Sequence, residues 1–512
     1  MEENTKQNKK IKKERIKKLI ENLSENLQER EKIIAPTLLA TLIDESIFFY
    51  GPPGTGKSLI ARRMSEVFHN QIYFEYLLHK FSTPDEIFGQ VSIAELKKDN
   101  YKRLTEGFLP TATFAFLDEI WKSSPAILNT LLTILNEKTF KNGNVVEKVP
   151  LRVIIAASNE VPSVNQGLEA LYDRFLLRIF VLPIIKKDNF KNLINSKLVK
   201  SKINIPEELK IDLAEIKKWK EEIEDVKITE ETLNIIWILR DAFQKQFQEL
   251  GNYISDRRWK KIAYLLKASA YFCDRGSTNL TDLLLLKHCL WTTEDNKVKI
   301  DRVIEDTIRD NSYTLTDNLL IFDKKIEKLE KEITYKLYYT EDVYETEHIN
   351  GKEYFKVKRK ETASSKDFEF YISKDYMKSK NNFNPVDKNG IILNGISCNF
   401  TSPNSCNIRT FINNSWQEKE KFRPLILHYR GNKRKDIDEN LKKELKTAAL
   451  ELKEKCEKLL DSTNLYLENY KIEMDNPFVT ERELKIPIEG INKLIDDIKL
   501  RKLNCERLEA LI

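Results

Sequence analysis

The sequence predicts an α/β fold built on a five-stranded parallel sheet, followed by an all-helical region and then by a helical region that a small β-rich domain interrupts. Three observations lead to this prediction. Short apolar runs alternate with helical patterns over the first 190 or so residues, and a glycine-rich loop joins the first run to a helix. The last third changes from helical spacing to strand spacing and back. With 512 residues, the chain is long enough for about three domains.

The first buried strand, at 47–50, leads into a loop with the spacing of a phosphate-binding motif. The motif consists of Gly51, Pro52, Pro53, Gly54, Thr55, Gly56, Lys57 and Ser58, with Leu59 following in the helix. Glycines let backbone N–H groups turn toward a polyphosphate, and the helix N-terminus favours its negative charge. Lys57 is expected to reach the β- and γ-phosphates and Ser58 to ligate Mg²⁺. An incidental glycine-rich turn is the alternative, which the flanking strand and helix disfavour.

Two carboxylates follow the strand predicted at 114–117, after a second strand at 72–76. Four apolar residues without alternation indicate a strand that is buried on both faces of a parallel sheet. Ligands of such sheets bind at the carboxyl ends of the strands, where Asp118 and Glu119 lie. We expect Asp118 to hold Mg²⁺ and Glu119 to polarise the water that attacks the γ-phosphate. A simple helix N-cap is the alternative.

Polar residues also lie at the ends of the last two predicted strands. The strand at 151–157 ends in Ser158 and Asn159, and the Asn159 side chain is expected to face the same crevice. A solvated strand-end side chain is the alternative. Arg174 precedes the fifth strand, at 179–182, and could neutralise charge on a transferring phosphoryl group. An ordinary surface salt bridge is the alternative reading of Arg174.

Charge and composition limit the functional classes. The net charge is +6, and residues 1–20 account for +5 of it, with eight Lys or Arg and three Glu. Such a segment could bind nucleic acid, but its apolar residues recur at helical spacing, which favours a helix with a solvated basic face. No apolar run is long enough for a transmembrane segment and no signal peptide is evident, so a cytoplasmic location is expected. The six cysteines have no C-x-x-C spacing, which argues against a zinc site.

The order of these motifs resembles that of the AAA+ ATPases of the MoxR family and, within it, the RavA regulatory ATPase group. The resemblance covers about residues 12–292. It rests on the strings at 81–89, 116–122, 125–132, 157–160, 169–174 and 255–261.

The resemblance implies roles that the residues alone do not reveal. Asn159 takes the sensor 1 role, Arg174 that of an arginine finger acting on a neighbouring subunit, and Arg257 that of sensor 2 from the helical lid. A finger needs a neighbour, so a homo-oligomeric ring, usually a hexamer, is implied. Whether Arg257 acts in its own subunit or the next stays open. Residues 90–110 correspond to the helix 2 insert of this branch.

The resemblance also suggests a domain plan. Residues 1–188 form the AAA+ α/β subdomain with a basic N-terminal helix, and 189–300 the all-helical lid. Residues 301–336 and 431–512 form a discontinuous helical domain, which 337–430 interrupt as a small β-rich domain. RavA-like proteins have this order of segments, and their β-rich domain docks a partner. Lys, Tyr and Phe interleave in 337–430 as on nucleic-acid surfaces, although a solvated β domain is the favoured interpretation.

Taken together, the sequence predicts an ATP- and Mg²⁺-dependent ATPase that remodels a protein client. The family is commonly paired with a von Willebrand factor A domain protein, which is the leading partner prediction. Two alternatives stay open: a nucleic-acid-stimulated motor, and a module that uses ATP only to switch ring assembly.

Overall fold

A computed structural model of the protein describes residues 2–162, 167–196, 203–245, 254–313, 316–360, 367–412 and 415–512. The chain divides into two compact units. The first unit consists of Met1–Thr316 and Leu460–Asp497, and the second of Asp317–Leu459 and Ile498–Ile512.

The amino-terminal half of the first unit alternates strands and helices. The strands are β1 (Ile47–Tyr50), β2 (Tyr73–Leu77), β3 (Gln90–Val91), β4 (Arg103–Leu104), β5 (Phe114–Asp118), β6 (Thr139–Asn142), β7 (Val145–Lys148), β8 (Val153–Ser158) and β9 (Leu177–Phe180). The helices among them are α1 (Glu2–Ser24), α2 (Glu31–Leu42), α3 (Lys57–Ser65), α4 (Pro84–Phe88), α5 (Ile93–Leu96), α6 (Pro125–Glu137) and α7 (Glu169–Tyr172).

Five of the described strands form a parallel sheet in the order β2-β5-β8-β1-β9, as the sequence predicts. β1 lies between β8 and β9, and its last residue, Tyr50, is in register with Ser158 and Phe180. The loop that follows β1 therefore starts at the carboxyl edge between the ends of β8 and β9, and β5 is the next strand beyond β8. This is where open α/β sheets bind their ligands.

The sheet is stable because both of its faces are covered. Ile47 and Phe49 contribute to an apolar cluster on one face, and Phe48 contributes to a second cluster on the other. The Phe48 ring packs against Trp121, with ring centroids 5.6 Å apart. Burial of one such aromatic side chain contributes about 1.5–3 kcal/mol. Burial on both faces also explains why these strands are continuous apolar runs without alternation.

Helices follow the sheet in the first unit. They are α8 (Lys187–Asn195), α9 (Leu213–Glu224), α10 (Glu230–Lys245), α11 (Asp256–Phe272), α12 (Leu280–Leu283) and α13 (Glu294–Asp310), with a 3-10 turn at Leu284–His288. The basic N-terminal segment forms α1, and its Ile16, Leu19 and Leu23 are buried in the core of this unit.

In the second unit, the described residues form three small antiparallel sheets and helical segments. Its elements are α14 (Thr316–Leu337), β10 (Val343–Tyr344), β11 (Glu347–Ile349), β12 (Lys352–Lys360), β13 (Asp367–Ser373), β14 (Ile396–Ser402), β15 (Ser405–Ile412), β16 (Ser415–Phe422) and β17 (Ile426–His428). The helices α15 (Glu439–Glu473) and α16 (Glu481–Leu511) have residues in both units.

This division differs from the domain plan expected from the sequence. The predicted helical domain, 301–336 and 431–512, has residues in both units, because 460–497 belong to the unit that contains the sheet. The Ile491 and Ile495 side chains lie in the core of the first unit, whereas Cys505 and Leu508 lie in a separate apolar cluster of the second. The predicted boundaries at 188, 336 and 430 stay predictions. Among the described residues, no helix is long and apolar enough to cross a membrane.

Candidate functional site

The loop after β1 has the backbone conformation of a cradle. Gly54 and Gly56 have φ angles of 77° and 90°, which glycine adopts without the cost that a Cβ would impose. At Gly51 a Cβ would lie 2.3 Å from the carbonyl oxygen of Val181, so only glycine fits there. Pro52, Pro53 and Thr55 complete the loop, and α3 begins with Lys57, Ser58 and Leu59.

The Lys57 ammonium lies inside this loop. Its Nζ donates hydrogen bonds to the carbonyl oxygens of Gly51 (2.6 Å) and Pro52 (3.0 Å). Burial lowers the pKa of Lys57, and the nearby carboxylates of Asp118 and Glu119 oppose that shift. The lysine of the loop and the two acids at the end of β5 therefore interact electrostatically, as their expected joint role requires.

Asp118 and Glu119 are held differently, although they are adjacent. Burial raises the pKa of Asp118, and its Oδ1 accepts a hydrogen bond from the Glu119 backbone N–H (3.0 Å). Glu119 has a left-handed backbone, with φ of 53°, which turns the chain sharply out of β5. Its Oε2 lies 3.2 Å from Lys122 Nζ and 3.5 Å from Ser158 Oγ. The end of β8 thus supports the carboxylate at the end of β5.

The donor set at this edge suits a small hard cation. The Ser58 hydroxyl and the Asp118 carboxylate are oxygen ligands of the kind that Mg²⁺ prefers. The raised pKa of Asp118 reflects a half-buried carboxyl group that a bound cation would stabilise in its ionised form. Ser58 and Asp118 would therefore hold the ion beside the phosphates.

The other three predicted residues come from three further segments of the first unit. Asn159 is exposed directly after β8. Arg174 follows α7, and its Nε is buried without a hydrogen-bond partner among the described residues. Arg257 is exposed in the first turn of α11, where its Nη2 donates to Asn136 Oδ1 on α6 (3.4 Å). The structure thus brings together Lys57, Asp118 and Glu119, whereas Arg257 makes its contact with α6.

A cavity of about 630 Å³ lies next to the loop. Arg30 lines it and donates from Nε to the Thr55 carbonyl oxygen (3.2 Å), and Phe180 lines it beside the loop strand β1. Small-molecule pockets are typically of this size. Twelve of the twenty residues that line the cavity have charged side chains, and six are apolar. The lining residues are Glu29, Arg30, Lys32, Ile33, Ile179, Phe180, Leu182, Pro183, Lys186, Lys287, His288, Lys297, Asp301, Glu305, Arg309, Thr480, Arg482, Glu483, Ile486 and Glu489.

Comparison with known proteins agrees with this geometry. Residues 14–221 match the model of the MoxR domain in the MoxR-vWA-beta-propeller ternary systems, and residues 231–304 match an AAA lid domain. An uncharacterised protein of Methanocaldococcus jannaschii is 38% identical over 308 residues, which is 60% of this chain and 77% of that protein. The chain belongs to the MoxR family of AAA+ ATPases. The sheet, the loop and the helical lid are thus the parts of a MoxR-family nucleotide-binding module.

Two further relatives and one solved structure are similar to parts of this MoxR-family chain. A second uncharacterised protein of Methanocaldococcus jannaschii is 39% identical over 277 residues, 53% of this chain and 70% of that protein. A structural protein of Acidianus two-tailed virus is 28% identical over 300 residues, 53% of this chain and 48% of that protein. A crystal structure of a candidate ATPase from Cytophaga hutchinsonii aligns with a TM-score of 0.47 and 18% identity, covering 60% of this chain and 97% of its own.

Sequence analysis missed Arg258, which binds the segment around Arg174. Arg258 is buried in the lid helix α11, and its Nη1 lies 3.5 Å from the carboxylate Oδ1 of Asp173. Its N–H groups donate to the carbonyl oxygens of Asp173 (3.2 Å), Phe175 (3.1 Å), Leu176 (2.8 Å) and Cys289 (2.7 Å). The helical spacing of α11 could have identified Arg258 as the buried arginine. Arg258 lies four residues, about one turn, before the buried Ile262, whereas Arg257 lies five residues before it and so on a different face.

A second buried arginine, Arg178 on β9, reinforces the same segment. Its N–H groups donate to the carbonyl oxygens of Trp291 (2.5 Å) and Tyr172 (3.2 Å), and its guanidinium lies 3.8 Å from the centroid of the Tyr172 ring. Burial, with the nearby Arg258 charge, lowers the pKa of Arg178 to about 9. Two arginines thus fix the backbone on both sides of Arg174 to the lid of the MoxR-family module.

Proposed function

We propose that this protein is a Mg²⁺-dependent ATPase that works as a ring and couples hydrolysis to remodelling of a protein client. One observation carries the proposal: the buried Lys57 ammonium inside the glycine-rich loop interacts with the Asp118 and Glu119 carboxylates at the end of the adjoining sheet. A cation in a phosphate cradle beside two carboxylates is the arrangement that phosphoryl transfer to water needs.

Each residue of this edge has a part in the proposed reaction. Loop N–H groups and Lys57 bind the β- and γ-phosphates. Ser58 and Asp118 would hold Mg²⁺, which would neutralise charge on the phosphate oxygens. Glu119 orients the attacking water and accepts its proton. Lys122 and Ser158 keep the Glu119 carboxylate in one orientation. Asn159, exposed after β8, contacts the water or the γ-phosphate.

The cavity beside the loop is the proposed site of the base and ribose. Its Phe180 and Leu182 offer apolar surface to a purine. Burial, with the charges of Lys287 and Lys297, holds the pKa of His288 well below its usual value, so this lining side chain is neutral at pH 7. A neutral imidazole and aromatic surface suit an uncharged base.

Arg174 and Arg257 are proposed to serve the neighbouring subunit. Arg257 contacts α6, and the backbone around Arg174 is fixed to the lid. Guanidinium groups that lie outside their own phosphate site can complete an adjacent one, as arginine fingers do in trans. A closed ring, a hexamer by family resemblance, provides that arrangement for every subunit.

The partners are also inferred from the family. The matched MoxR model is named for systems with a von Willebrand factor A domain protein and a β-propeller, which supports a von Willebrand factor A partner. We propose that the small sheets of 337–430 dock the partner or client, in the manner of the RavA group. Since ATP is the substrate, we infer that the protein acts in the cytoplasm.

The test is the Glu119→Gln substitution. Loss of the proton acceptor should reduce ATP turnover about 10²–10⁴-fold while the affinity for ATP changes little, because the loop and Lys57 are intact. Turnover is measured by phosphate release and affinity by titration calorimetry. The matched control is Glu137→Gln at an exposed glutamate of α6, which should leave both unchanged. Full turnover in Glu119→Gln would refute the assignment of the catalytic base.

A further inference from the structure

The turn between α15 and α16 packs against the lid. Asn476 is buried there, and its Nδ2 donates to Ser269 Oγ (3.0 Å) and to Asp282 Oδ1 (3.2 Å). Asp282 is fully buried and is held by an ion pair with Arg275, with Nη2 and Oδ1 separated by 2.6 Å. A buried carboxylate requires such partners, so Asn476 completes a polar network inside the lid.

Apolar and ionic contacts extend this docking. Phe478 is buried and its ring lies 6.4 Å from that of Phe272 in α11. Asp475 pairs with Lys13 (3.1 Å) and Lys17 (2.7 Å) of α1. Residues 475–478 therefore contact both the lid and the N-terminal helix. They lie outside the matched family models, which cover residues 14–221 and 231–304.

The first turns of α16 then pass along the cavity beside the loop. Thr480, Arg482, Glu483, Ile486 and Glu489 all line it, and so they share it with Arg30 and Phe180.

Two contacts fix this wall in place. Glu483 pairs with Lys287, which also lines the cavity. At Gly490 the α16 backbone approaches α13 so closely that a Cβ would lie 2.0 Å from the Arg309 carbonyl oxygen. The wall is therefore close-packed against the lid, and a side chain at residue 490 would displace it.

We propose that the first turns of α16 form a wall of the nucleotide pocket and contact the base or ribose of bound ATP. This inference rests on the proposed ATPase function. It assigns residues 480–489 to the nucleotide site. The same helix, α16, continues into residues 498–511 of the second unit, so a helix shared by both units would contact the nucleotide directly.

Photolabelling of the full-length protein tests the contact. With Mg²⁺ and 8-azido-ATP, light should attach the probe to a peptide that contains residues 480–489, and excess ATP should prevent the labelling. The Lys57→Ala variant should lose the label, because the phosphates no longer anchor the nucleotide. Amide hydrogen exchange should show ATP-dependent protection of the same residues in the wild type.

Wall variants separate base contacts from phosphate contacts. Gly490→Ala and Glu483→Gln should each weaken ATP binding about 5–20-fold and leave the affinity for inorganic tripolyphosphate unchanged, since that probe engages only the loop. Gly276→Ala is the matched control, because its Cβ would meet open space and both affinities should stay at the wild-type value. Lys57→Ala should weaken the binding of both probes.

The outcomes distinguish the two proposals. ATP bound in a Lys57-dependent manner, with neither label nor protection at 480–489, would overturn the wall while the ATPase function stands. Equal weakening of ATP and tripolyphosphate in Gly490→Ala would also overturn it, because a general distortion would then explain the loss. An absence of Lys57-dependent ATP binding would overturn both.

Discussion

The two ends of the proposed nucleotide site are built in different ways. The phosphate end comes from short contiguous stretches, 51–58, 118–119 and 158–159, each at the end of a strand in one sheet. The cavity end collects residues from 29–33, 179–186, 287–309 and 480–489. Phosphate chemistry fixes residue type and spacing, whereas a base pocket requires only suitable surface, which distant parts of the chain can supply. A motif therefore locates the first end, and only tertiary structure locates the second.

The largest expected effect is a loss of ATP turnover in a variant that tests whether the phosphate end needs Arg174 from a neighbouring subunit. Arg174→Ala should reduce turnover of the assembled protein about 10³-fold or more and leave ATP binding intact, because a finger stabilises only the transferring phosphoryl group. Mixing this variant with Lys57→Ala should restore part of the turnover if one subunit supplies Arg174 and its neighbour an intact loop. Phosphate release is measured across mixing ratios. Failure to restore turnover at every ratio would count against a shared site.

The second prediction tests the arginines that join the sheet to the lid. Arg258→Ala removes the donor to four carbonyl groups and leaves a cavity, so we expect the free energy of unfolding to fall by about 3–5 kcal/mol. Thermal or denaturant unfolding measures this loss. Arg257→Ala is the matched control on the same turn, and its exposed side chain should change stability by less than about 0.5 kcal/mol. Equal losses in the two variants would contradict the assignment.

The third prediction uses the raised pKa of Asp118. Because burial favours its protonated form, the carboxyl group should begin to lose its charge at a higher pH than an ordinary aspartate as the pH falls. The Mg²⁺ concentration for half-maximal turnover should therefore rise on acidification, in a pH range above that of an unperturbed carboxyl group.

Ionisation of Asp118 favours Mg²⁺ binding but has the opposite effect on the stability of the nucleotide-free fold. A raised folded-state pKa means that folding favours the protonated carboxyl group, so the ionised group lowers stability as the pH rises through that value. Asp118→Asn should leave the melting temperature of the nucleotide-free protein unchanged or slightly higher at pH 7, and should weaken Mg²⁺ binding about tenfold. A clear loss of stability in Asp118→Asn would contradict this account of the carboxyl group.

The smallest expected effect lies at the cavity end. Glu29 accepts hydrogen bonds from the Ile185 N–H (3.1 Å), the Lys186 N–H (2.9 Å) and Asn189 Nδ2 (3.0 Å), at the start of α8. Burial raises the pKa of Glu29, but these hydrogen bonds outweigh it and lower the pKa to about 2. Glu29→Gln should cost about 1 kcal/mol of stability at pH 7, as the loss of a helix cap does.

The pH dependence of this last effect follows from the direction of the shift. A lowered folded-state pKa gives stability that is present above the ordinary glutamate range and is lost as the pH falls toward about 2. The difference in melting temperature between wild type and Glu29→Gln should therefore shrink on acidification. A difference that stayed constant between pH 7 and pH 3 would exclude the carboxylate as its source.

The sequence predicted the parallel sheet correctly and located the candidate phosphate end by residue type and spacing, for physical reasons. Strands that are buried on both faces must be apolar throughout, and a loop that encloses phosphate must have glycine at positions such as Gly54 and Gly56. The structure confirms the parallel sheet and shows Lys57 interacting with Asp118 and Glu119. The roles of these residues stay predictions.

The sequence did not reveal the parts that depend on distant partners. Asn476 reads as an ordinary loop residue until its hydrogen-bond acceptor, Asp282, is found 194 positions earlier. Arg258 stands beside Arg257, and residue type alone does not tell which of the two is buried. The division of α16 between two cores was hidden because its apolar spacing is continuous across both.

The late position of the docking turn has a consequence for the order of synthesis. A ribosome that has made the sheet and the lid must still add about 170 residues before Asn476 is made, which takes roughly 8–35 s at about 5–20 residues per second. During that interval the buried pair of Asp282 and Arg275 has no Asn476 to complete it, and Phe272 has no Phe478 to cover it. The nascent chain is thus exposed to misfolding and proteolysis until the turn between α15 and α16 arrives, and a fragment cut at the end of the lid would keep that exposed surface permanently.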